Sequence, residues 1–291
     1  MTESFAARFA AARAQYGPLV LGADPHGSIL AKWDLSDDAE GLERFADIVL
    51  QAATGTVAVL KPQSAFYERH GWQGIRVLTR LVAQARANGI LVILDAKRGD
   101  VGSTNDAYAQ AYLGPGAAIE ADALTISPYL GLGAMSAYTS RAHESGSCVF
   151  VVLRSSNPEG RTIQISRTPH GFSVEQHLLA EIGTLNSRLA PGTVGPVGAV
   201  VAALDAGDAG DPGPALDLPD LNLAGAGALF LVPGVGAQGT TPADVARTFA
   251  DCPERALPSA SRSLLTAGPD VSALRDAAAR LSDEFRTLLD P

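Results

Sequence analysis

Two of the three lysines in this chain follow short apolar runs and stand close to aspartates. Lys61 ends the run TVAVLK, and Lys97 follows ILVILD in LDAKRGD. Side chains two positions apart on a β-strand share one face, so the spacing predicts that Asp95 and Lys97 point the same way. Asp100 follows on the loop after that strand. Because neighbouring carboxylates favour the protonated form of Lys97, we expect an ammonium that donates a proton and stabilises negative charge, and not a Schiff-base amine.

A second segment predicts a phosphate site. The sequence PGVGAQGT follows the apolar run ALFLV and contains three glycines, Gly234, Gly236 and Gly239. We expect these glycines to expose backbone N–H groups toward a phosphate and Gln238 to add its side-chain amide. Arg262, in the tripeptide SRS, follows the next apolar run and can supply a charged hydrogen bond to the same group.

Two further apolar runs also end in polar residues. Asp24 closes PLVLGAD, and Ser156 lies in RSSNP directly after CVFVVL. The serine and asparagine side chains of RSSNP are neutral donors and acceptors of the kind that bind the edge of a heterocycle.

The elements that must position these residues recur along the whole chain. Eight short apolar runs predict strands at residues 18–24, 56–61, 90–95, 122–127, 148–153, 197–204, 228–234 and 255–261. Segments with helical periodicity lie between them, which indicates parallel strands returned by helices. Eight such units over residues 1–291 predict a single-domain α/β fold, a (β/α)₈ (TIM) barrel whose active site lies at the carboxyl ends of the strands. An open doubly wound sheet would require a glycine-rich turn after strand 1, and DPHGSIL is not one.

Two segments exceed what a barrel needs. Residues 154–172 and 205–227 are rich in glycine, proline and polar residues. Functional loops follow the strands of a barrel, so we expect the first to act as a lid and the second to form a surface loop.

Composition limits the classes of function. With 46% hydrophobic and 18% charged residues, the chain is expected to fold into a well-filled globule. A net charge of -9 gives no general attraction to nucleic acid or to anionic membranes, so neither is expected as a partner. Cys148 and Cys252 are far apart without a CxxC motif, which favours a reducing cytoplasm and predicts neither a disulfide nor a metal site.

The motifs LDAKRGDVGSTN, SSNP, PGVGAQG and SRS, together with Lys61, resemble the orotidine 5′-monophosphate decarboxylase family, especially its longer bacterial form. The order and strand positions of these motifs match across essentially the whole chain. The resemblance implies a homodimer that converts orotidine 5′-monophosphate to UMP and carbon dioxide in pyrimidine biosynthesis, without a cofactor.

The resemblance also implies roles for single residues. Lys97 would protonate ring carbon six as carbon dioxide leaves, and Asp95 would lie against the substrate carboxylate. Asp24 and Lys61 would bind the ribose hydroxyls, with Lys61 also joining the charge network. Ser156 would bind the pyrimidine.

The remaining roles concern the phosphate and the partner subunit. Gln238 and Arg262 would hold the phosphate. Asp100 and Thr104 would reach into the active site of the other chain, so that the two sites are shared across the dimer.

Two alternatives stay open. One is a metal-dependent sugar-phosphate decarboxylase or aldolase-type relative of the same barrel superfamily, which shares DxKxxD but is not expected to have a lysine at the position of Lys61. The other is a phosphate-binding barrel without catalytic activity, in which the charge cluster is structural.

Overall fold

Eight parallel strands form a closed barrel in the computed structural model, which describes residues 2–203 and 220–290. The strands pair in chain order, and β1 pairs with β8 to close the sheet. Their bounds are β1 Val20–Ala23, β2 Val59–Pro62, β3 Leu91–Arg98, β4 Ala123–Ile126, β5 Cys148–Arg154, β6 Val197–Val201, β7 Phe230–Val232 and β8 Ala256–Ala260. Each lies within or overlaps one of the predicted runs, so the prediction of a (β/α)₈ barrel is confirmed.

Helices alternate with the strands. In the described residues they are α1 Phe5–Tyr16, α2 Gly27–Lys32, α3 Ala39–Ala53, α4 Ala65–Glu68, α5 Gly71–Ala87, α6 Gly102–Tyr112, α7 Ser136–Ser145, α8 Arg161–Gln164, α9 Val174–Leu189, α10 Pro242–Thr248, α11 Arg262–Leu265 and α12 Val271–Leu289. Short 3₁₀ turns cover Leu132–Met135, Pro158–Gly160, Ala224–Ala226 and Pro253–Arg255. Among the residues that the structure describes, no helix has the length and apolar character needed to cross a membrane.

The alternation of each strand divides the core in two. Outward positions such as Leu21 and Leu60 belong to one buried cluster with side chains of the surrounding helices, such as Phe45 of α3. Inward positions such as Val20 form a separate buried cluster, to which α1 contributes Phe5 and Phe9. This inner cluster fills the lower part of the barrel with apolar side chains.

The inward positions change character toward the carboxyl ends of the strands. On β2 the apolar Val59 is followed two positions later by Lys61, and on β3 Ile93 is followed by Asp95. Because successive inward positions are two residues apart, this change places polar side chains at the barrel mouth above an apolar plug.

Of the two predicted loop segments, residues 154–172 lie wholly within the described residues and residues 205–227 only in part. Residues 154–172 begin with the last residue of β5 and include the short helix α8, which joins the strand to α9. Of the predicted loop 205–227, residues 205–219 lie outside the described residues, and the rest includes a 3₁₀ turn that leads to β7.

Candidate active site

A cavity of about 540 Å³ lies at the carboxyl ends of the strands. Its lining includes eight residues that the sequence analysis singled out, namely Asp24, Lys61, Asp95, Lys97, Ser156, Gly234, Gln238 and Arg262. Residues on β2 and β3 and residues that directly follow β1, β5, β7 and β8 therefore meet at one site, as the position of the strand ends predicts.

Asp95 is the centre of a charge cluster in this cavity. Lys97 Nζ donates to Asp95 Oδ1 at 2.6 Å, and Lys61 Nζ donates to Asp95 Oδ2 at 3.1 Å. The side chains of Asp95 and Lys61 are only 12% and 9% exposed, whereas that of Lys97 is 46% exposed. Lys97 is thus the member of the cluster that is open to a molecule in the cavity.

Burial and charge act in opposite directions on this cluster. Burial alone would raise the pKa of Asp95, but Lys61 and Lys97, helped by hydrogen bonds from Lys97 and Thr125, hold that pKa well below its usual value. Burial likewise opposes the charged form of Lys61, yet Asp95 and Asp24 raise its pKa above the usual value. Asp95 is therefore a carboxylate and Lys61 an ammonium throughout the neutral pH range.

Thr125 of β4 also lines the cavity, and it was not predicted from the sequence. Its Oγ1 donates to Asp95 Oδ1 at 2.8 Å and accepts the backbone N–H groups of Ala96 and Lys97, each at 3.0 Å. It sits at an inward position of β4, but its link to Asp95 depends on how β3 and β4 are aligned, which the sequence alone does not give.

The backbone at Lys97 departs from a regular strand. The pairing of β3 with β4 shifts between Leu94 and Arg98, and Lys97 has a left-handed φ of 46°. The strand alternation predicted that Asp95 and Lys97 share one face, and the two side chains do meet, but an irregularity in β3 held by Thr125 is what brings them together. Left-handed backbone at a residue other than glycine is a strained conformation found preferentially at functional sites.

Gln63 is a second residue that the sequence analysis missed. It follows Lys61 by two positions and so faces the same cavity, which continued alternation beyond the predicted end of strand 2 would have indicated. Its backbone N–H donates to Asp24 Oδ1 at 3.1 Å. His26 and Phe66, whose rings lie 4.1 Å apart, also line the cavity on this side.

Gln238 and Arg262 lie on the other side of the cavity; both are exposed, and they follow β7 and β8 respectively. The three glycines of the loop after β7 differ from expectation. Gly234, Gly236 and Gly239 all have positive φ angles, but the N–H groups of Gly236 and Gly239 donate to Thr240 and Gly236 carbonyls within the loop. Gly236 and Gly239 therefore shape the turn and do not present free N–H groups to the cavity, and only Gly234 of the three lines it.

The segment after β5 is anchored at both ends. Arg154, the last residue of β5, makes a bidentate ion pair with the buried Glu175 in the first turn of α9, at 2.8 and 2.7 Å. Between them, Gln164 of α8 donates to Ser155 Oγ at 2.8 Å. Ser156 lines the cavity, while most of the segment's remaining side chains are exposed.

Asp100 and Thr104 do not line the cavity of their own chain. Asp100 Oδ1 accepts the N–H of Val101 at 2.8 Å, and Thr104 is exposed on α6. Asp100, which the sequence places on the loop after the strand of Asp95 and Lys97, is thus not part of the charge cluster of Lys61, Asp95 and Lys97 in its own chain.

A family model for the orotidine 5′-phosphate decarboxylase / HUMPS family matches residues 17–277. The chain belongs to this family. It is 47% identical over 288 residues to an orotidine 5′-phosphate decarboxylase of Salinispora arenicola, with 99% of each chain covered, and 46% identical to one of Streptomyces coelicolor, with 98% of each covered.

Solved structures of the family agree with the fold. A candidate orotidine 5′-phosphate decarboxylase from Streptomyces avermitilis superposes with a TM-score of 0.90 at 43% identity, covering 99% of this chain and 97% of that one. An OMP decarboxylase from Leishmania donovani gives a TM-score of 0.71 at 25% identity, with 97% and 98% covered.

The name of the family covers orotidine 5′-phosphate decarboxylases and HUMPS enzymes. The side chains at the barrel mouth are therefore what distinguishes between these two kinds of enzyme. Within residues 2–203 and 220–290, no three His, Cys, Asp or Glu side chains are grouped so that they could hold a metal ion. Instead, Lys61 and Lys97 occupy the two oxygens of Asp95.

Proposed function

We propose that this protein catalyses the decarboxylation of orotidine 5′-monophosphate to UMP and carbon dioxide in pyrimidine biosynthesis, without a metal or organic cofactor. The observation that carries the proposal is the ammonium of Lys97, partly exposed to the cavity and 2.6 Å from the ionised Asp95. Relatives 46–47% identical over 98–99% of the chain bear the name of this activity.

The chemistry needs a positive charge at one carbon. When the bond from ring carbon six to the carboxylate breaks, carbon dioxide leaves and the electron pair stays on carbon six. An ammonium fixed beside that carbon stabilises the developing charge. Lys97 then transfers a proton from Nζ to carbon six, and solvent restores the proton to the amine.

Asp95 supports this step from behind. Lys61 and Lys97 keep it ionised, so a negative charge faces the substrate carboxylate. That repulsion disappears as carbon dioxide departs, whereas the attraction between Lys97 and the new charge grows. The cluster therefore favours the transition state over the bound substrate.

The rest of the substrate is held by groups around the mouth. Asp24 and Lys61 bind the ribose hydroxyls, Ser156 the pyrimidine, and Gln238 and Arg262 the phosphate. This assignment is supported by the position of all five residues around one cavity, with the charge cluster on one side and Arg262 on the other.

The functional unit is a homodimer with shared active sites. Asp100 and Thr104 lie outside the cavity of their own chain and on the exposed segment that follows β3. In the dimer they complete the site of the partner subunit, where Asp100 adds a second carboxylate to the cluster of Lys61, Asp95 and Lys97.

The chain acts as a single domain of residues 1–291 on a free nucleotide in the cytoplasm. Its net charge of -9 does not favour nucleic acid, and the two free cysteines are both buried.

The competing function is that of a metal-dependent sugar-phosphate enzyme of the same family. UMP formation and carbon dioxide release from orotidine 5′-monophosphate should proceed at the same rate with and without EDTA. A requirement for a divalent ion, together with turnover of a ketose phosphate, would favour the competing function. Absence of turnover with both substrates, despite phosphate binding, would favour a barrel without catalytic activity.

A further inference from the structure

The carboxylate of Asp95 receives more donors than the two lysines supply. Lys97 and Thr125 both donate to Oδ1, and Lys61 donates to Oδ2. The end of the Gln63 side chain also lies against these oxygens. The side-chain amide of Gln63 is oriented so that its nitrogen, and not its oxygen, faces these acceptors. In this orientation Gln63 Nε2 is 2.6 Å from Asp95 Oδ2 and 2.9 Å from the Asp95 main-chain oxygen.

The backbone of Gln63 is fixed by a second carboxylate. Its N–H donates to Asp24 Oδ1 at 3.1 Å, and residue 63 pairs with Asp95 across the gap between β2 and β3. One residue therefore contacts both aspartates of the cavity, Asp24 through its main chain and Asp95 through its side chain.

We propose that Gln63 is a positioning residue that fixes the Asp95 carboxylate for the reaction, an inference that rests on the proposed function. It contacts neither the carbon that reacts nor the proton donor; it acts through Asp95. Asp95 can repel the substrate carboxylate and orient Lys97 only if both of its oxygens stay in place, and the Gln63 amide restrains Oδ2 where Thr125 restrains Oδ1.

The choice of an amide has a physical reason. A third cation at position 63 would also bind Asp95, but it would repel the ammonium groups of Lys61 and Lys97 and disfavour their protonated forms. An amide donates a hydrogen bond to the carboxylate without adding charge. Gln63 thereby holds Asp95 while leaving the charge balance of two lysines and two aspartates unchanged.

The substitution Gln63→Glu tests this role through pH. The charged and titratable groups around position 63 are Asp24 after β1, Lys61 on β2, Asp95 and Lys97 on β3, and His26, which precedes α2 and lines the cavity on the same side. The two aspartates raise the pKa of the new carboxyl, and the two lysines oppose that rise. When ionised, the new group repels Asp95; when protonated, its O–H can donate as the amide did.

We therefore expect the kcat of Gln63→Glu, relative to that of the unaltered enzyme, to increase as the pH falls. The kcat of Gln63→Glu, divided by that of the unaltered enzyme at the same pH, should be below about 1/100 at pH 8 and should rise at least about tenfold as pH falls to 5.5. A purely structural role for Gln63 would not produce a ratio that recovers in acid. A ratio independent of pH would overturn the inference.

The nearly isosteric substitution Gln63→Met gives an independent measure because it removes the donor without adding charge. Its kcat should fall about 10- to 100-fold, since a hydrogen bond to a charged group is lost. UMP lacks the carboxylate that faces Asp95, and the backbone N–H to Asp24 remains, so the affinity for UMP, measured by calorimetry, should change less than about threefold.

Gln51→Met, at an exposed position of α3, is the matched control and should leave both kcat and UMP affinity unchanged. An unaltered kcat in Gln63→Met, or an equal loss of UMP affinity and kcat, would refute the positioning role. If the unaltered enzyme does not decarboxylate orotidine 5′-monophosphate at any pH, the proposed function itself fails. If it does and the Gln63 variants match it, only the present inference fails.

Discussion

The two sides of the barrel mouth are built in opposite ways. On the β2–β3 side, Lys61, Asp95 and Thr125 are buried and bonded to one another. On the opposite side, Gln238 and Arg262 are exposed, and within the described ranges 2–203 and 220–290 their side chains make no hydrogen bond or ion pair.

This difference indicates which interactions are formed before substrate arrives. Charges that must stabilise a transition state act best when they are already fixed, because no reorganisation is then needed during the reaction. Groups that bind a phosphate can remain solvated until the phosphate replaces water. If Gln238 and Arg262 bind the phosphate as proposed, this side of the mouth can use that binding energy to order the segment after β5.

The largest effect is expected on the side of Lys61, Asp95 and Lys97, here called the preorganised side because its charges are fixed before substrate binds. Lys97→Ala removes the ammonium and should lower kcat by at least about 10²- to 10⁴-fold, the range of a general acid, leaving less than a few per cent of activity. Steady-state turnover of orotidine 5′-monophosphate measures the loss.

The fold should survive this change because the Lys97 side chain is 46% exposed, so its truncation removes no core packing. Arg44→Ala, at an exposed position of α3, is the surface control and should retain full activity. Substantial residual turnover in Lys97→Ala would show that another group supplies the proton.

A second effect is expected if Asp100 of one chain completes the preorganised side of the partner subunit. Lys97→Ala and Asp100→Ala homodimers should each be nearly inactive. After co-refolding, a mixed dimer has one site with both lesions and one with neither. With random pairing, half of the dimers are mixed and half of their sites intact, so activity should recover to about a quarter of the unaltered value, a consequence of two-fold symmetry.

Mixed dimers can be purified with two different affinity tags before the assay. If such dimers form and remain inactive, Asp100 acts within its own chain and the shared site is refuted.

The sequence carried the fold further than it carried the site. Each of the eight predicted runs contains or overlaps a strand because strands buried on both faces are apolar throughout, a local property of the chain. Lys61, Asp95 and Arg262 could be placed at the mouth for the same reason, since a position at a strand end determines the side of the barrel.

What escaped prediction depends on alignment between strands. Thr125 stands in the predicted strand DALTIS, but its contact with Asp95 follows from the register of β3 against β4. Gln63 escaped because it lies beyond the end of β2 at Pro62 and meets Asp95 only through an isolated bridge between the two chain segments. Gly236 was expected to present its N–H to phosphate, yet the loop closes on itself and uses that N–H for Thr240.

On the open side, a single substitution should weaken binding without preventing chemistry. Arg262→Ala removes one charged hydrogen bond to phosphate, which contributes about 1.5 to 3 kcal/mol, so the affinity for UMP should fall about 10- to 150-fold. If phosphate binding also orders the segment after β5, kcat/KM should fall further than this affinity.

Arg280→Ala, exposed on α12, provides a matched loss of one positive charge far from the mouth. Unchanged UMP affinity in Arg262→Ala would place the phosphate elsewhere and remove the contrast between the two sides.

The smallest effect concerns the backbone strain on each side. Lys97 has a φ of 46° on the preorganised side, and Gly239 has a φ of 91° in the loop after β7. A left-handed residue other than glycine costs about 1 to 2 kcal/mol, and glycine loses about 0.5 to 1 kcal/mol of that advantage through unfolded-state entropy. Lys97→Gly should therefore be about 0.5 to 1 kcal/mol more stable than Lys97→Ala, although both lack the lysine side chain.

Gly239→Ala should shift stability the other way by a similar amount. An added Cβ at Gly239 meets no atom within 4 Å, so its cost is conformational and not a clash. Urea unfolding of the three variants compares their midpoints at equal slope. Strain at Lys97 fits a site that gives up stability to orient this side chain, whereas the loop after β7 avoids such strain with glycine. Equal stability of Lys97→Gly and Lys97→Ala would mean that the Lys97 backbone is unstrained and that the two sides differ only in their side chains.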